Sequence, residues 1–203
     1  MMSMREFQEV ATMRLREFSF RTTAYLPEMR RATVVCCVVE HEGQPCVIVI
    51  KRAYRGRNAG QWALPGGRLE DGETVIEAGL RELHEEIGIL AKPEDVLGRL
   101  DDFPASSGFA ITPIVVVPSE PVTVTSNHEV HAVHHVPLDR LAADDVPHWA
   151  SQPDGTPLLQ MRLGEKMTIH APTGAMLLQF RDVVLLGRDT RVADLRQPDW
   201  TQH

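Results

Sequence analysis

The sequence predicts an α+β or layered αβα domain, and three observations support this. Segments with strand character outnumber those with helical character. A helix predicted over residues 74–87 lies near the centre of the chain and carries signals at both of its ends. No repeat, low-complexity tract or long linker divides the 203 residues, so we expect one main domain of ordinary size.

The first third of the chain is predicted as a helix followed by a β-hairpin. Apolar side chains at near-helical spacing indicate a helix over residues 4–18. The β-branched run 32–39 and the apolar run 46–50 indicate two strands that pair across a turn at 40–45. A polar, basic loop then covers residues 53–60.

The middle of the chain combines a short strand, a tight turn and the central helix. Residues 62–64 have strand character and stop at a Pro-Gly-Gly turn. Thr74 and Glu77 stand three residues apart, as in a capping box, and Gly88 supplies a C-terminal stop. We therefore expect the central helix to be well defined at both ends.

The remaining segments complete the predicted sheet and its helices. Further strands are expected at 96–100, 111–117 and 130–136, a short helix from 137, and a final helix at 173–186. Residues 144–166 are rich in Pro, Asp and Gly, so we predict mostly loop there. The expected boundaries are an N-terminal helix and extension over 1–30, a main domain over 31–188, and a C-terminal tail over 189–203.

Composition and charge limit the classes of protein to which the chain can belong. Hydrophobic residues make up 43% and charged residues 24%, which is typical of a globular protein with an apolar core. The formal charge of −7 argues against a protein that coats nucleic acid or a membrane surface, since both need a positive field. No apolar run approaches the ~18 residues of a membrane span, and the charged N-terminus is unlike a signal peptide. We therefore expect a cytoplasmic protein with no nucleic-acid or membrane partner.

The three cysteines are expected to be core residues. Cys36 and Cys37 are neighbours in one apolar run, and Cys46 opens the next. No CxxC pair is present, so a disulfide or a cysteine-based metal site is disfavoured.

Three glutamates in the central helix are the main candidates for chemistry. Glu82, Glu85 and Glu86 stand at i, i+3 and i+4, so a helix places them on one face, where like charges weaken it. Hard divalent cations such as Mg²⁺ bind oxygen ligands of this kind. A solvated acidic face is the alternative, but the neighbouring residues favour a site.

Two glycines and an arginine near these glutamates also indicate a binding site. Gly66 and Gly67, just before the helix, let the backbone approach a metal or a phosphate closely. Arg81 lies beside the carboxylates and can orient Glu73 through a charge-assisted, bidentate pair.

The stretch 67–89 resembles the Nudix box, G-x5-E-x7-R-E-U-x-E-E-x-G-U, in which U is aliphatic. Every fixed position is met, by Gly67, Glu73, Arg81, Glu82, Leu83, Glu85, Glu86, Gly88 and Ile89. The resemblance implies the Nudix fold, a mixed sheet between helices with the box as a loop–helix–loop. It also implies a pyrophosphohydrolase that acts on a nucleoside diphosphate linked to another moiety and uses Mg²⁺ or Mn²⁺.

The resemblance also assigns roles by position. Glu82, Glu85 and Glu86 would ligate the metal, and the Gly66 carbonyl could add a ligand. Glu73 and Arg81 would act in catalysis by orienting these groups. The metal would neutralise charge on the diphosphate and lower the pKa of a bound water that attacks phosphorus.

The general base is left open between two glutamates. In many members of the family it is a Glu outside the box, and Glu129, before the strand at 130–136, has a similar position; Glu86 is the other candidate. Four histidines near Glu129 are candidate zinc ligands: His128, His131, His134 and His135. Their one-in-two spacing without a partner Cys favours the polar face of a strand instead.

Weaker similarities outside the box point to a substrate class. Arg52 and residues 60–67 resemble the signature that precedes the box in coenzyme A pyrophosphatases, with differences at 49–51, in the spacer length and at Leu64. Segments 97–101, 107–113 and 169–175 resemble the same subgroup. Coenzyme A or a related ADP-containing compound therefore ranks first as substrate, an ADP-sugar or ADP-ribose second, and nucleoside triphosphates next.

Basic residues before the box are candidates for binding the substrate. Arg52, Arg55 and Arg57 could meet its phosphates, beside the backbone of Gly67. A solvated basic loop is the alternative for these arginines.

Two functions of other classes compete with hydrolysis. A ligand-sensing Nudix-like module often has a decayed box and a DNA-binding domain, whereas the box here is complete. An isomerase of the isopentenyl diphosphate type needs a catalytic Cys, and the cysteines here lie in apolar runs. Dimers are common in the family, so a homodimer is one expected assembly.

Overall fold

The structure is a computed structural model that describes residues 2–23, 29–54 and 59–198. Its helices and strands follow in the order α1 (Met4–Glu17), β1 (Arg30–His41), β2 (Gln44–Arg52), β3 (Trp62–Ala63), β4 (Gly66–Arg68), α2 (Val75–Ile87), β5 (Val96–Arg99), β6 (Phe103–Ala105), β7 (Phe109–Val116), β8 (Val130–Pro137), α3 (Leu138–Ala142), β9 (Pro147–Ser151), β10 (Pro157–Gly164), β11 (Met167–Ile169) and α4 (Thr173–Gln179). A 3₁₀ turn at Pro93–Asp95 precedes β5, and a π-helical turn at Phe180–Leu185 continues α4.

Strands β1 to β8 form one mixed sheet. β1 lies at its centre, where it pairs antiparallel with β2 and β4 and parallel with β7. β2 also pairs with β3 and β8, and β7 also pairs with β5 and β6. The predicted hairpin is confirmed, with Val38 opposite Val47 across β1 and β2.

Helices cover both faces of this sheet, which confirms the predicted αβα layers. On one face, Leu83 and Ile87 of α2 are buried in a cluster with Val35 of β1. On the other face, Phe7 of α1 and Phe180 after α4 belong to a second cluster. Alternate residues of β1 and β2 enter the two clusters, as the pleat of a strand requires.

Helix α1 is fixed at both ends and along one side. Ser3 and Glu6 form a capping box at its start. Its buried residues Phe7, Ala11 and Leu15 recur every four positions and face the sheet. Near its end the Arg14 guanidinium donates a 2.8 Å hydrogen bond to the Val184 carbonyl. The N-terminal helix is thus packed against the C-terminal one.

The prediction that residues 144–166 are mostly loop was wrong. Most of this segment forms β9 and β10, which with β11 make a separate antiparallel sheet of three strands. The turn residues lie between these strands, where they close tight connections. Alternating Leu159, Met161 and Leu163 are buried on β10, so the pattern of a strand was present.

Three shorter strands, β4, β6 and β11, were also missed. The predicted Pro-Gly-Gly turn continues as β4, with Gly66 opposite Val34 of β1. β6 has only three residues and depends on its pairing with β7. Such short strands give almost no periodic signal in the sequence.

The expected core position of the cysteines is confirmed. Cys36, Cys37 and Cys46 are buried and unpaired. Burial raises the pKa of the Cys36 thiol to about 12 and raises those of Cys37 and Cys46 as well. Among the described helices, none combines the length and the apolar character that crossing a membrane would require.

Candidate active site

Helix α2 carries the acidic residues, and its ends are those predicted. The Thr74 hydroxyl accepts a 3.2 Å hydrogen bond from the Glu77 amide, and the Glu77 carboxylate accepts one of 2.8 Å from the Thr74 amide. Gly88 ends the helix in a left-handed conformation, with φ of 73°. Leu83 and Ile87 anchor the opposite face, so the direction of the glutamates is fixed.

The backbone before α2 passes very close to its neighbours. A Cβ atom at Gly66 would overlap the backbone of Thr33 and Val34 in β1. A Cβ atom at Gly67 would overlap the Glu82 carboxylate. Glycine is therefore required at Gly66, whereas at Gly67 the overlap is with the end of a flexible side chain that can move. The acidic face of α2 lies close to the loop backbone.

Arg81 organises three carboxylates at once. Its Nε and Nη2 atoms donate bidentate hydrogen bonds of 2.8 and 2.9 Å to Glu73. Its Nη1 atom donates to Glu82 at 3.0 Å and to Glu85 at 3.2 Å. Nη2 also donates to the Arg68 carbonyl at 3.0 Å, which ties the helix to β4. The hydrogen bonds from Arg81 lower the pKa of Glu73 to about 2, so this carboxylate is ionised at neutral pH.

Glu86 is the most buried of the three helix glutamates, since only 4% of its side chain is exposed, against 55% for Glu85. Its carboxylate accepts a 2.9 Å hydrogen bond from the Gly66 amide and lies 3.9 Å from the Arg52 guanidinium. Burial raises the pKa of Glu86 to about 7, although Gly66 and Arg52 oppose this change. Burial also raises the pKa of Glu82.

Glu129 lies just before β8, and its side chain is 54% exposed. Its negative charge contributes to the raised pKa values of both Glu82 and Glu86, so the fold brings it towards α2. Its carbonyl accepts a 2.7 Å hydrogen bond from the Ala53 amide next to Arg52. The fold thus brings Glu129 and Arg52 close to α2, although these residues are far apart in the sequence.

The sequence analysis missed the connection that positions Glu129. The Asn127 amide donates a 3.0 Å hydrogen bond to the Glu86 carbonyl, and the Thr125 amide donates one of 2.9 Å to the Ile87 carbonyl. The Asn127 side chain accepts from the Glu129 amide at 2.8 Å. Asn before a strand is a known turn signal that could have suggested this role.

The donor atoms around α2 suit a hard divalent cation. Glu82, Glu85 and Glu86 supply carboxylate oxygens, the ligands that Mg²⁺ and Mn²⁺ prefer. Over the described part of the chain, no group of three or more His, Cys, Asp or Glu side chains is placed to hold a metal ion. Arg81 engages Glu82 and Glu85 here, and the contact of Gly66 with Glu86 is through its amide rather than its carbonyl.

The remaining predicted residues are the arginines before the box and the histidines near β8. Arg55 and Arg57 lie outside the described residues, whereas Arg52 reaches the site. The histidines of β8 contact aromatic rings: His131 meets Tyr54 and His134 meets Trp62 edge-on, and His135 stacks on His41 at 4.0 Å. These contacts fit the polar strand face that the spacing favoured.

Comparison with known proteins places these residues in a family context. The family model described as NUDIX domain matches residues 29–157. An uncharacterized Nudix hydrolase NudL of Escherichia fergusonii is 32% identical over 139 residues, which cover 64% of this chain and 72% of that protein. A protein with the same description from Cronobacter sakazakii is 38% identical over 112 residues, or 54% of this chain and 58% of that protein.

Solved structures show the same fold. A Nudix hydrolase from M. smegmatis, RenU, aligns with a TM-score of 0.51 and 21% identity over 77% of this chain and 86% of that one. A C. elegans Ap4A hydrolase, solved as a binary complex, aligns with a TM-score of 0.51 and 18% identity over 78% of this chain and 99% of that one. At such identities the likeness concerns the fold alone.

Proposed function

The chain belongs to the NUDIX domain family of pyrophosphohydrolases, and on that premise we propose that it cuts the diphosphate linkage of an ADP-containing compound with the aid of Mg²⁺ or Mn²⁺. Coenzyme A or a close relative is the favoured substrate, and ADP-ribose or an ADP-sugar is the alternative. The favoured choice rests on the similarity of residues 52, 60–67 and 169–175 to the coenzyme A pyrophosphatase subgroup.

One observation carries the choice of an active site over a solvated acidic surface. Glu86 is almost fully buried, yet it lies near the negative charges of Glu82 and Glu129. Burying a carboxylate among like charges is unfavourable, and such arrangements are typical of functional sites. The arrangement supports a role in binding a cation and a substrate rather than in stability.

In this proposal each residue has a distinct task. Glu82, Glu85, Glu86 and the Gly66 carbonyl would hold the metal. The bound cation would neutralise charge on the diphosphate and lower the pKa of an attacking water. Arg81, itself fixed by Glu73, would keep Glu82 and Glu85 in position.

The proton and the phosphates would be handled by residues around the metal ligands. Glu129 would accept the proton of the attacking water, and Glu86 is the second candidate for this step. The Arg52 guanidinium is 3.9 Å from Glu86, a long distance that leaves its N–H groups available to substrate phosphate oxygens. The Gly67 backbone would allow the phosphates to approach closely.

A panel assay tests the proposal. The full chain is incubated with Mg²⁺ and, separately, with coenzyme A, ADP-ribose, dinucleoside polyphosphates and nucleoside triphosphates, and the products are separated by chromatography. We expect coenzyme A to be cleaved within its diphosphate linkage and turnover to stop when the metal is chelated. Tight binding without turnover of any compound would contradict hydrolysis and support a sensing module. Faster turnover of ADP-ribose would shift the substrate to the alternative.

A further inference from the structure

A cavity of about 210 Å³ lies between β3 and the segment that joins β11 to α4. One wall is formed by Gly60, Gln61 and Trp62, and the other by residues 168–173. The first wall belongs to the segment matched by the family model, whereas the second lies beyond its end at residue 157. In a family whose members cut different substrates, a wall built outside the shared domain can give this chain its own selectivity.

Trp62 is the aromatic residue of the first wall. The His134 ring meets it edge-on at 4.7 Å between centroids, and the Lys51 ammonium lies 5.2 Å from its centroid. The same ammonium lies 5.5 Å from the ring of Tyr54. These contacts hold the indole in one orientation, and a fixed aromatic ring beside a cavity suits the stacking of another planar ring.

The second wall offers polar groups at defined positions. Ile169 and Ala171 are buried and fix the segment on either side of His170. The His170 carbonyl accepts a 2.6 Å hydrogen bond from the Gly174 amide, which ties the segment to α4. Burial lowers the pKa of the His170 imidazole and so favours its neutral form.

The residues that line the cavity are not those of the proposed active site, but the backbone joins the two. The Gln61 carbonyl accepts a 2.9 Å hydrogen bond from the amide of Arg52, whose guanidinium lies beside Glu86. Four peptide steps lead from Trp62 to Gly66, a span of at most about 14 Å. Trp62 packs against the cluster on the face opposite α2, so a bound molecule would pass round the end of β3 at Gly60.

We propose that this cavity binds the nucleobase of the substrate, stacked on Trp62, while the diphosphate lies at Gly66 and Gly67. This inference rests on the proposed hydrolase function, and it makes Trp62 a residue that determines specificity. The base, rather than the moiety on the far side of the diphosphate, is the part of the substrate that this chain recognises by shape.

Kinetics of three variants test the proposal. Trp62→Ala should raise KM for the preferred ADP-containing substrate about 5- to 100-fold, the cost of losing one base–aromatic stack, with kcat within a few-fold of the parent value. Trp62→Phe keeps a ring and should stay near the parent KM. Trp149→Ala is the matched control, because Trp149 is 46% exposed on β9 and does not line the cavity. Equal losses in Trp62→Ala and Trp62→Phe would overturn the stacking role.

Binding of two product-like probes separates this inference from the hydrolase proposal. AMP and ribose 5-phosphate carry the same phosphate, but only AMP has a base, and each is titrated calorimetrically into the full chain. We expect AMP to bind more tightly than ribose 5-phosphate, and Trp62→Ala to remove the difference. If AMP binds more tightly than ribose 5-phosphate but no substrate is turned over, the proposed nucleobase site is supported and the hydrolase function is contradicted. If a substrate is turned over but the two probes bind equally, the hydrolase function is supported and the proposed nucleobase site is contradicted.

Discussion

The box region, residues 66–88, and the C-terminal region, residues 138–185, are stabilised in different ways. In the box region, Arg81 joins carboxylates that are at most eight residues away, and the glutamates that it holds remain partly open to solvent. In the C-terminal region, apolar side chains are buried against each other. Its buried Arg181 donates to the carbonyls of Leu141 and Ala142, both at 3.0 Å, and to Asp182 at 2.6 Å.

The difference between the two regions shows which polar groups are engaged within the protein and which remain available to bind a ligand. Every guanidinium nitrogen of Arg181 is engaged within the protein, so this cation serves structure. The box carboxylates, by contrast, are held close together although their charges repel. Substitutions in the box should therefore change the rate more than the stability, and substitutions in the C-terminal region the reverse.

On a free-energy scale, the largest expected effect is on stability in the C-terminal region. Leu159→Ala removes a side chain that is 1% exposed and should lower the free energy of unfolding by about 2–5 kcal/mol. Chemical denaturation measures the loss, and kcat at a temperature where the variant is folded should be unchanged. Leu90→Ala, at a position that is 74% exposed, is the control. A large fall in kcat of folded Leu159→Ala would contradict the expectation that the C-terminal region affects stability and not the rate.

The next effect is on rate in the box region. Glu86→Gln keeps the shape of the side chain but removes a carboxylate that we propose as a metal ligand, so kcat should fall by at least ~10²-fold. Because burial already disfavours the charged form of Glu86, the melting temperature without metal should not fall. Glu165→Gln, in the exposed turn after β10, is the control. Turnover close to that of the parent protein would count against Glu86 as a ligand.

A smaller effect is expected one contact away from the proposed metal ligands. Glu73→Gln weakens the pair that fixes Arg81 and should lower kcat/KM about 10- to 100-fold, as is usual for groups that orient metal ligands. The exposed neighbour Glu70 gives a matched control in Glu70→Gln. Equal losses in the two variants would argue against a positioning role for Glu73.

The same pair gives a pH dependence with a defined sign. Since the pKa of Glu73 falls from 4.5 to about 2 on folding, its contribution to stability is complete above pH 4.5 and is lost as the pH falls through 2. The difference in unfolding free energy between the parent protein and Glu73→Gln should therefore shrink between these pH values. A difference that stays constant would contradict the lowered pKa of Glu73 in the folded state.

The smallest expected effect is stabilisation of the box region by metal. Mg²⁺ at ten times its dissociation constant should add about 1.4 kcal/mol to the stability of the folded state. For a chain of this size that corresponds to a rise of about 3–6 °C in Tm, measured by differential scanning calorimetry. Glu82→Gln should reduce the rise, and a rise that is unaffected would place the metal elsewhere.

The box region could be predicted from the sequence because its signals are local. The spacing of Thr74, Glu77 and Gly88 predicted the ends of α2, and the expected pair of Arg81 with Glu73 lies eight residues apart. The spacing could not show that Glu86 would be buried and Glu85 exposed. That difference depends on the rotation of α2 against the sheet, which is set by contacts with distant strands.

The small sheet of the C-terminal region and the cavity were not predicted from the sequence. The loop prediction for residues 144–166 followed their Pro, Asp and Gly residues, although the alternation at 159, 161 and 163 marked a strand. The cavity joins residues about 110 positions apart in the sequence, and a propensity argument does not pair such segments. Likewise, the contact of His134 with Trp62 follows from the pairing of β2 with both β8 and β3.

The three enclosed thiols give the protein a chemical reporter of its own opening. A thiol reagent that needs an accessible thiolate cannot reach Cys36, Cys37 or Cys46 while the central hairpin stays closed. The rate at which such a reagent labels the chain therefore counts excursions in which β1 and β2 separate from the helices. No label has to be introduced, so the unaltered chain can be used to compare how often the sheet opens with and without nucleotide.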